Sequence, residues 1–306
     1  MTSPRVTQSG IQTRTMAGLQ RNLNRTQEAQ DQISSGKQLR RPSDSPTGTV
    51  TALQLRGEVR ANKKYSTNAD DAMGRLGTVQ DTLQSVTERL QKVRTLTLEA
   101  ASAGGGSTPQ ANKARAEEIN QIKGTLVQFA NTKYLDRPVF GGSTPDTVAY
   151  DTKGTYQGEL AGETSRVIGP NAKVRVDVRG PEVFGEDTVD GVPNEAQLFR
   201  VLDSLTAAMQ PPGDPEAIQT GLKNLDKATE IVNSTLSDVG ARYNRVTQMK
   251  QSAEDRLMSV SSQLSDIEDV DLPKAIMELQ LQQTSYQAAL AATAKVIQPS
   301  LIDFLR

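Results

Sequence analysis

The sequence predicts a mainly α protein, an elongated antiparallel helical rod of coiled-coil type. Its N- and C-terminal segments pair, and a small β-rich insert lies in the middle. Three observations predict this. Leu55, Tyr65, Ala69, Ala72, Leu76, Val79, Leu83, Val86, Leu90, Val93 and Ala100 recur on alternating steps of four and three. Val232, Leu236, Val239, Tyr243, Val246, Ala253, Leu257, Val260, Leu264 and Ile267 do the same near the other end. A repeat of 3.5 residues puts all these side chains on one seam of a helix, and such a seam must bury itself against another. Between residues 131 and 193 the apolar period falls to two: Val174, Val176 and Val178 alternate with Lys173, Arg175, Asp177 and Arg179. That pattern reads as a strand with one wet face.

Each element has a start and a stop. The first helix is expected over residues 3–35, ended by Gly36 as a left-handed cap. Ser45 then caps a helix whose first residue is Pro46 and which runs to about Ala103. Gly104-Gly105-Gly106 breaks it, and Thr108-Pro109 opens a third helix to Ala130. Gly169-Pro170-Asn171 turns the valine strand back onto residues 165–168. A short helix over 194–209 buries Leu198, Leu202 and Leu205, and Asp214-Pro215 starts a helix to Ile267. Asp271 caps the last helix, with Pro273 in its first turn. The expected organisation is an N-terminal assembly helix (1–43), one half of the helical rod (44–131), the outer insert (132–193), the other half of the rod (194–271) and a C-terminal assembly helix (272–306).

The terminal helices differ from the inner ones. Met16, Leu19, Leu23 and Ile33 share a seam with Thr26 and Gln30; Ile276, Leu279, Tyr286, Leu290 and Ile297 share one with Gln283 and Thr293. Polar residues in the seam leave such helices marginal alone, so each gains most from a partner in matching register. These apolar residues are the candidate assembly interface.

Composition narrows the function. Among 306 residues there is no cysteine and no histidine, so thiolate sites, disulfides and serine–histidine or cysteine–histidine catalysis are excluded. A net charge of −1 leaves no excess cation for nucleic acid. No run of about 18 apolar residues suggests a membrane span, and the first 20 residues lack the apolar core of a secretory signal. The chain is then expected either to be cytoplasmic or to leave the cell by a route that needs no cleaved signal. The acidic stretch Asp266, Glu268, Asp269 and Asp271 lacks the spacing of a calcium loop and reads as a capping turn. Glu117-Glu118 point about 100° apart on a helix and read as a solvated face. No enzyme chemistry and no cofactor are expected.

Local motifs then carry a resemblance. Ile33-Ser34-Ser35-Gly36-Lys37-Gln38-Leu39 and Pro42-Ser43-Asp44-Ser45-Pro46, with Leu90-Gln91-Lys92-Val93-Arg94-Thr95-Leu96 and the closing Leu301-Ile302-Asp303-Phe304-Leu305-Arg306, resemble the flagellin and hook-associated protein family over both ends of the chain. Ser35, Gly36, Pro42, Ser43, Asp44 and Pro46 form the family-signature turn. Within the family, Pro42, Phe140-Gly141-Gly142 and Asp269-Val270-Asp271 followed by Gln282-Gln283-Thr284 are most similar to the hook–filament junction branch; flagellin, the filament subunit, is the alternative. The chain departs from the family pattern at Asp136-Arg137-Pro138, inserted between Tyr134-Leu135 and Val139-Phe140.

The resemblance implies a structural subunit of the bacterial flagellum, located outside the cell, that joins hook to filament by coiled-coil packing of its terminal helices. It implies export without a cleaved signal. Its implied partners are further copies of itself in a ring or polymer, the other junction protein on the hook side, flagellin on the filament side, and a cytoplasmic export chaperone. The chaperone would bind Ile276, Leu279, Tyr286, Leu290 and Ile297.

Overall fold

The computed structural model describes residues 8–102, 108–144, 148–189, 192–211 and 213–297, without the side chains of 8–12, 189 and 295–297. The chain is mainly helical, with paired long helices and a small β region in the middle, as its periodicity predicts. The helices are α1 (Gln8–Ser35), α2 (Pro46–Ala101), α3 (Pro109–Ala130), α4 (Gly180–Phe184), α5 (Leu198–Met209), α6 (Pro215–Glu268) and α7 (Leu272–Ile297). Three antiparallel hairpins join β1 (Lys133–Tyr134) to β2 (Arg137–Pro138), β3 (Ser165–Gly169) to β4 (Ala172–Arg175), and β5 (Thr188–Val189) to β6 (Val192–Pro193). The glycine break at 104–106 and the first residues expected of α1 lie outside the described residues.

Four helix starts follow the expected side chains. The Ser45 hydroxyl accepts from the Gly48 N–H at 3.2 Å, and Thr108 accepts from Ala111 at 3.2 Å. Asp214 accepts from Glu216 and Ala217, and Asp271 accepts from Lys274 at 3.2 Å. Each takes up a donor that the first helical turn cannot satisfy internally. The helix expected from residue 194 begins instead at Leu198, because Asn194 turns onto the Ala196 N–H and Gln197 caps by accepting from Arg200 at 2.8 Å.

Two compact units share the chain. One spans Ala61–Arg256. Within it α2 and α6 run antiparallel, and their partners retreat in equal steps: Ser66 with Glu254, Asp70 with Lys250, Thr87 with Asn233 and Arg94 with Asp226. The seam residues Ala69, Leu76, Val79, Leu83, Val86 and Val93 of α2 are fully buried, as are Val232, Val239 and Val246 of α6. Removing each large aliphatic side chain from water stabilises the fold by roughly 1.5–3 kcal/mol. Ile119 and Leu126 of α3 and Leu198, Leu202 and Leu205 of α5 complete the helical core, and Lys123 joins Asp203 across α3 and α5 at 2.6 Å.

An aromatic cluster joins the insert to α5. Tyr150 lies 5.3 Å from Phe199 and 5.4 Å from Phe184, ring centre to ring centre, and Phe140 lies 5.5 Å from Phe184. Asn131, at the end of α3, ties this cluster down: its amide donates to the Tyr150 carbonyl and its oxygen accepts from the Ala149 and Tyr150 N–H groups. The β3–β4 hairpin turns at Pro170-Asn171 as expected. The alternation beyond it does not hold. Asp177, expected on the wet face, is fully buried, because Thr164 N–H donates to it at 2.8 Å and the Arg175 guanidinium bonds it as well. A buried carboxylate is tolerated where donors replace its water.

The second unit takes in the described residues up to Arg60 and from Leu257 onward. Here α1 packs on α7, so the marginal terminal helices find their partners in each other within one chain.

Candidate assembly site

The signature turn is built around Asp44. Its carboxylate accepts from the Arg41 N–H at 2.8 Å and the Arg40 N–H at 3.2 Å, and these bonds, the Arg41 one foremost, hold it below the usual carboxylate range. Ser43 donates to the same carboxylate at 3.4 Å. Pro46 opens α2, where a missing N–H costs nothing. Ser35 accepts from the Lys37 N–H at 3.3 Å, and Gly36 takes φ +67°, a conformation that side chains with a Cβ rarely adopt.

The turn after α1 is stitched to the turn after α6. Lys37 and Asp269 form an antiparallel bridge; Gln38 N–H donates to the Glu268 carbonyl at 2.7 Å, and Val270 N–H donates to the Gly36 carbonyl at 3.0 Å. Two motifs far apart in sequence, Ser35-Gly36-Lys37 and Asp269-Val270-Asp271, are therefore one structural device. Charge reinforces it. Glu268, nearly buried, meets Arg56 at 2.6 Å and Lys37 at 3.5 Å, and Lys37 meets Asp269 at 2.5 Å. The Lys37 bond, with a second from Ser265, holds Asp269 below its ordinary value, and the Asp269 bond raises Lys37. The acidic stretch is thus committed to two cations and, through Asp271, to the cap of α7.

The candidate assembly residues divide between two faces. Leu19 and Ile33 of α1 are half-buried, with Asn22, Thr26 and the buried Ala29. On α7, Leu279 and Tyr286 are half-buried with Gln282, Ala289 and Thr293, and Ala275 is buried. Small and polar side chains make up most of this seam, which therefore buries little apolar area. Met16, Leu23, Ile276 and Leu290 are exposed instead, at 66%, 42%, 45% and 43%. They lie roughly 60–100° round the helix from the packed seam at 100° per residue. Gln30 and Gln283 share their exposure. Ile297 ends α7, and its side chain lies outside the description. A seam read at period 3.5 cannot tell its packed edge from its free edge; Ala29 and Ala275, which mark the packed one, carry too small a hydrophobic signal.

Residues 6–143 match the model of the bacterial flagellin N-terminal helical region, and residues 222–305 match that of the C-terminal helical region. The chain belongs to the bacterial flagellin family. This flagellin-family chain is accordingly a structural component of the flagellum and not an enzyme. It is 27% identical to flagellar hook-associated protein 3 of Escherichia coli strain K12 over 279 residues, 86% of this chain and 87% of that one. It is 25% identical to a flagellin of Halalkalibacterium halodurans over 282 residues, 90% of each. Its fold is similar to the crystal structure of the flagellar junction protein FlgL from Legionella pneumophila, with a TM-score of 0.57 at 15% identity over 71% of this chain and 99% of that one. Among the described residues of this flagellin-family chain, no helix is long and apolar enough to cross a membrane.

Proposed function

We propose that this chain is the hook–filament junction subunit of the flagellum, an adaptor that polymerises through its terminal helices. The likeness to hook-associated protein 3 over most of both chains supports the junction position. The observation that carries assembly is the divided seam. One edge of α1 and α7 is used within the chain, while Met16, Leu23, Ile276 and Leu290 stand in water beside it. Apolar side chains aligned along two packed helices form a stripe that a neighbouring helix covers at a gain of roughly 25 cal/mol per Å².

On this reading, further copies of the chain cover the stripe, the second junction protein sits on the hook side and flagellin on the filament side. Before assembly, an export chaperone holds the α7 stripe through Ile276 and Leu290, with Leu279, Tyr286 and Ile297 reached when α7 leaves α1. Export proceeds without a cleaved signal. Immunogold labelling of intact flagella with antibody to residues 148–189 tests the position. A single band at the hook end is expected; label along the filament would make the chain a flagellin.

A further inference from the structure

A cavity of about 410 Å³ lies where the insert meets α2, within the unit Ala61–Arg256, and assembly through the terminal helices leaves it unused. Three guanidinium groups line it from three elements: Arg75 of α2, Arg137 of β2 and Arg166 of β3. Asp71, the one carboxylate of its lining, is committed to Arg166 at 2.7 Å. Asp177, nearby, is committed to Arg175. Arg75 and Arg137 therefore make no ion pair among the described residues, and the Arg75 Nε is buried without a hydrogen-bond partner. Leaving a buried charged donor unsatisfied is costly, and proteins rarely keep one without use. Burial lowers Arg75 from its ordinary value, opposed by Asp177 and Asp71 at longer range.

The route by which Arg137 reaches the cavity is itself unusual. β1 and β2 are joined by Leu135 and Asp136, both with positive φ, +48° and +60°. A two-residue turn of that hand ordinarily takes asparagine or glycine. Arg137 follows this turn directly, so the turn sets a cation at the cavity rim. The Thr164 hydroxyl lines the same space and can donate to an acceptor there, whereas the Ser143 hydroxyl is spent on the Ala161 carbonyl at 2.7 Å.

We propose that this cavity binds an oxyanionic group, a carboxylate, sulfate or phosphate, held by the Arg75 and Arg137 guanidinium groups. Guanidinium forks match the planar or tetrahedral oxygens of such groups and give the strongest charge-assisted bonds available to a side chain. The volume is many times the roughly 30 Å³ of a water, so the group can be a free ion or the acid of a sugar-sized body.

Titration calorimetry on the full chain, with inorganic sulfate, inorganic phosphate and glucuronate in separate arms at matched ionic strength, tests it. Saturable heat is expected with at least one probe. A response to the inorganic ions identifies a free-ion site, and a response to glucuronate alone identifies an acid carried on a larger body. Arg137→Gln, at an exposed hairpin position, is expected to weaken binding about tenfold or more. Arg75→Met is expected to abolish binding and, in anion-free buffer, to raise the thermal midpoint by removing an unpaired charge. No saturable heat with any probe, or unchanged affinity in Arg137→Gln, overturns the proposal.

Discussion

Arg56 and Glu268 face each other at 2.6 Å, Nε to Oε1, one near the start of α2 and the other closing α6. The Glu268 side chain is only 5% exposed, so the pair is shielded from water on its acidic side. Together with the Lys37–Asp269 bridge, it holds the two turns of the signature region against each other.

Glu268→Gln is therefore expected to destabilise this region by about 1–3 kcal/mol, since a nearly buried carboxylate loses its ion pairs with Arg56 and Lys37. Arg94→Gln, which breaks the half-exposed Arg94–Asp226 pair, is expected to change nothing measurable. Urea titrations followed by helical circular dichroism compare the two; equal effects would place the Glu268 pair among ordinary surface contacts.

The same region has a defined pH window. Asp269 is held below its ordinary value, so its contribution is complete above the unfolded carboxylate value of about 4 and is lost as pH falls through the lower folded value. Lys37 is raised, so its contribution is complete below about 10.5 and is lost as pH rises through the folded value. Thermal melts of Asp269→Asn should fall below wild type at pH 6 and converge with it near pH 2. A constant gap across that range would contradict the linkage.

Tyr150 buries its hydroxyl in the aromatic cluster without a partner, and burial pushes its ionisation well above the usual phenol value. Tyr150→Phe is expected to be neutral or to stabilise by about 1 kcal/mol, because an unpaired buried hydroxyl is removed. Above pH 10 the wild type loses stability faster than Tyr150→Phe, because the Tyr150 phenol ionises in the unfolded state and not in the folded one. Alkaline denaturation of the two proteins measures this directly.

The two edges of the terminal helices separate folding from assembly. Leu23→Glu and Leu290→Glu are expected to leave the melting of the free subunit within about 0.5 kcal/mol of wild type, yet to block its incorporation into flagella. Tyr286→Ala, on the packed edge, is expected to loosen α1 from α7 and lower helix content in the free subunit. Fluorescence-tagged incorporation and circular dichroism are the paired readouts, and a reversed pattern would exchange the two edges.

Much of the fold was legible because helix physics is local. The cap at Ser45, the proline starts at Pro46 and Pro109, and the alternating seam from Ala69 to Val93 each depend on residues within a few positions, and each appears where the sequence puts it. The seams of α1 and α7 were visible too, but their division into packed and free edges was not. Neither were the join between Gly36 and Val270 nor the burial of Asp177, which also takes the Thr164 N–H from across the hairpin.

By itself, then, the sequence determined the long helices with their starts at Pro46, Pro109 and Pro215, the hairpin at Pro170-Asn171 and the absence of histidine and cysteine chemistry. The tertiary structure alone decided which edge of each terminal helix meets its partner and which carboxylates are shielded. It also decided that Arg75, Arg137 and Arg166 share one cavity. Periodicity fixes direction around one helix axis, whereas burial and charge pairing depend on what another segment, distant in the chain, brings to that face.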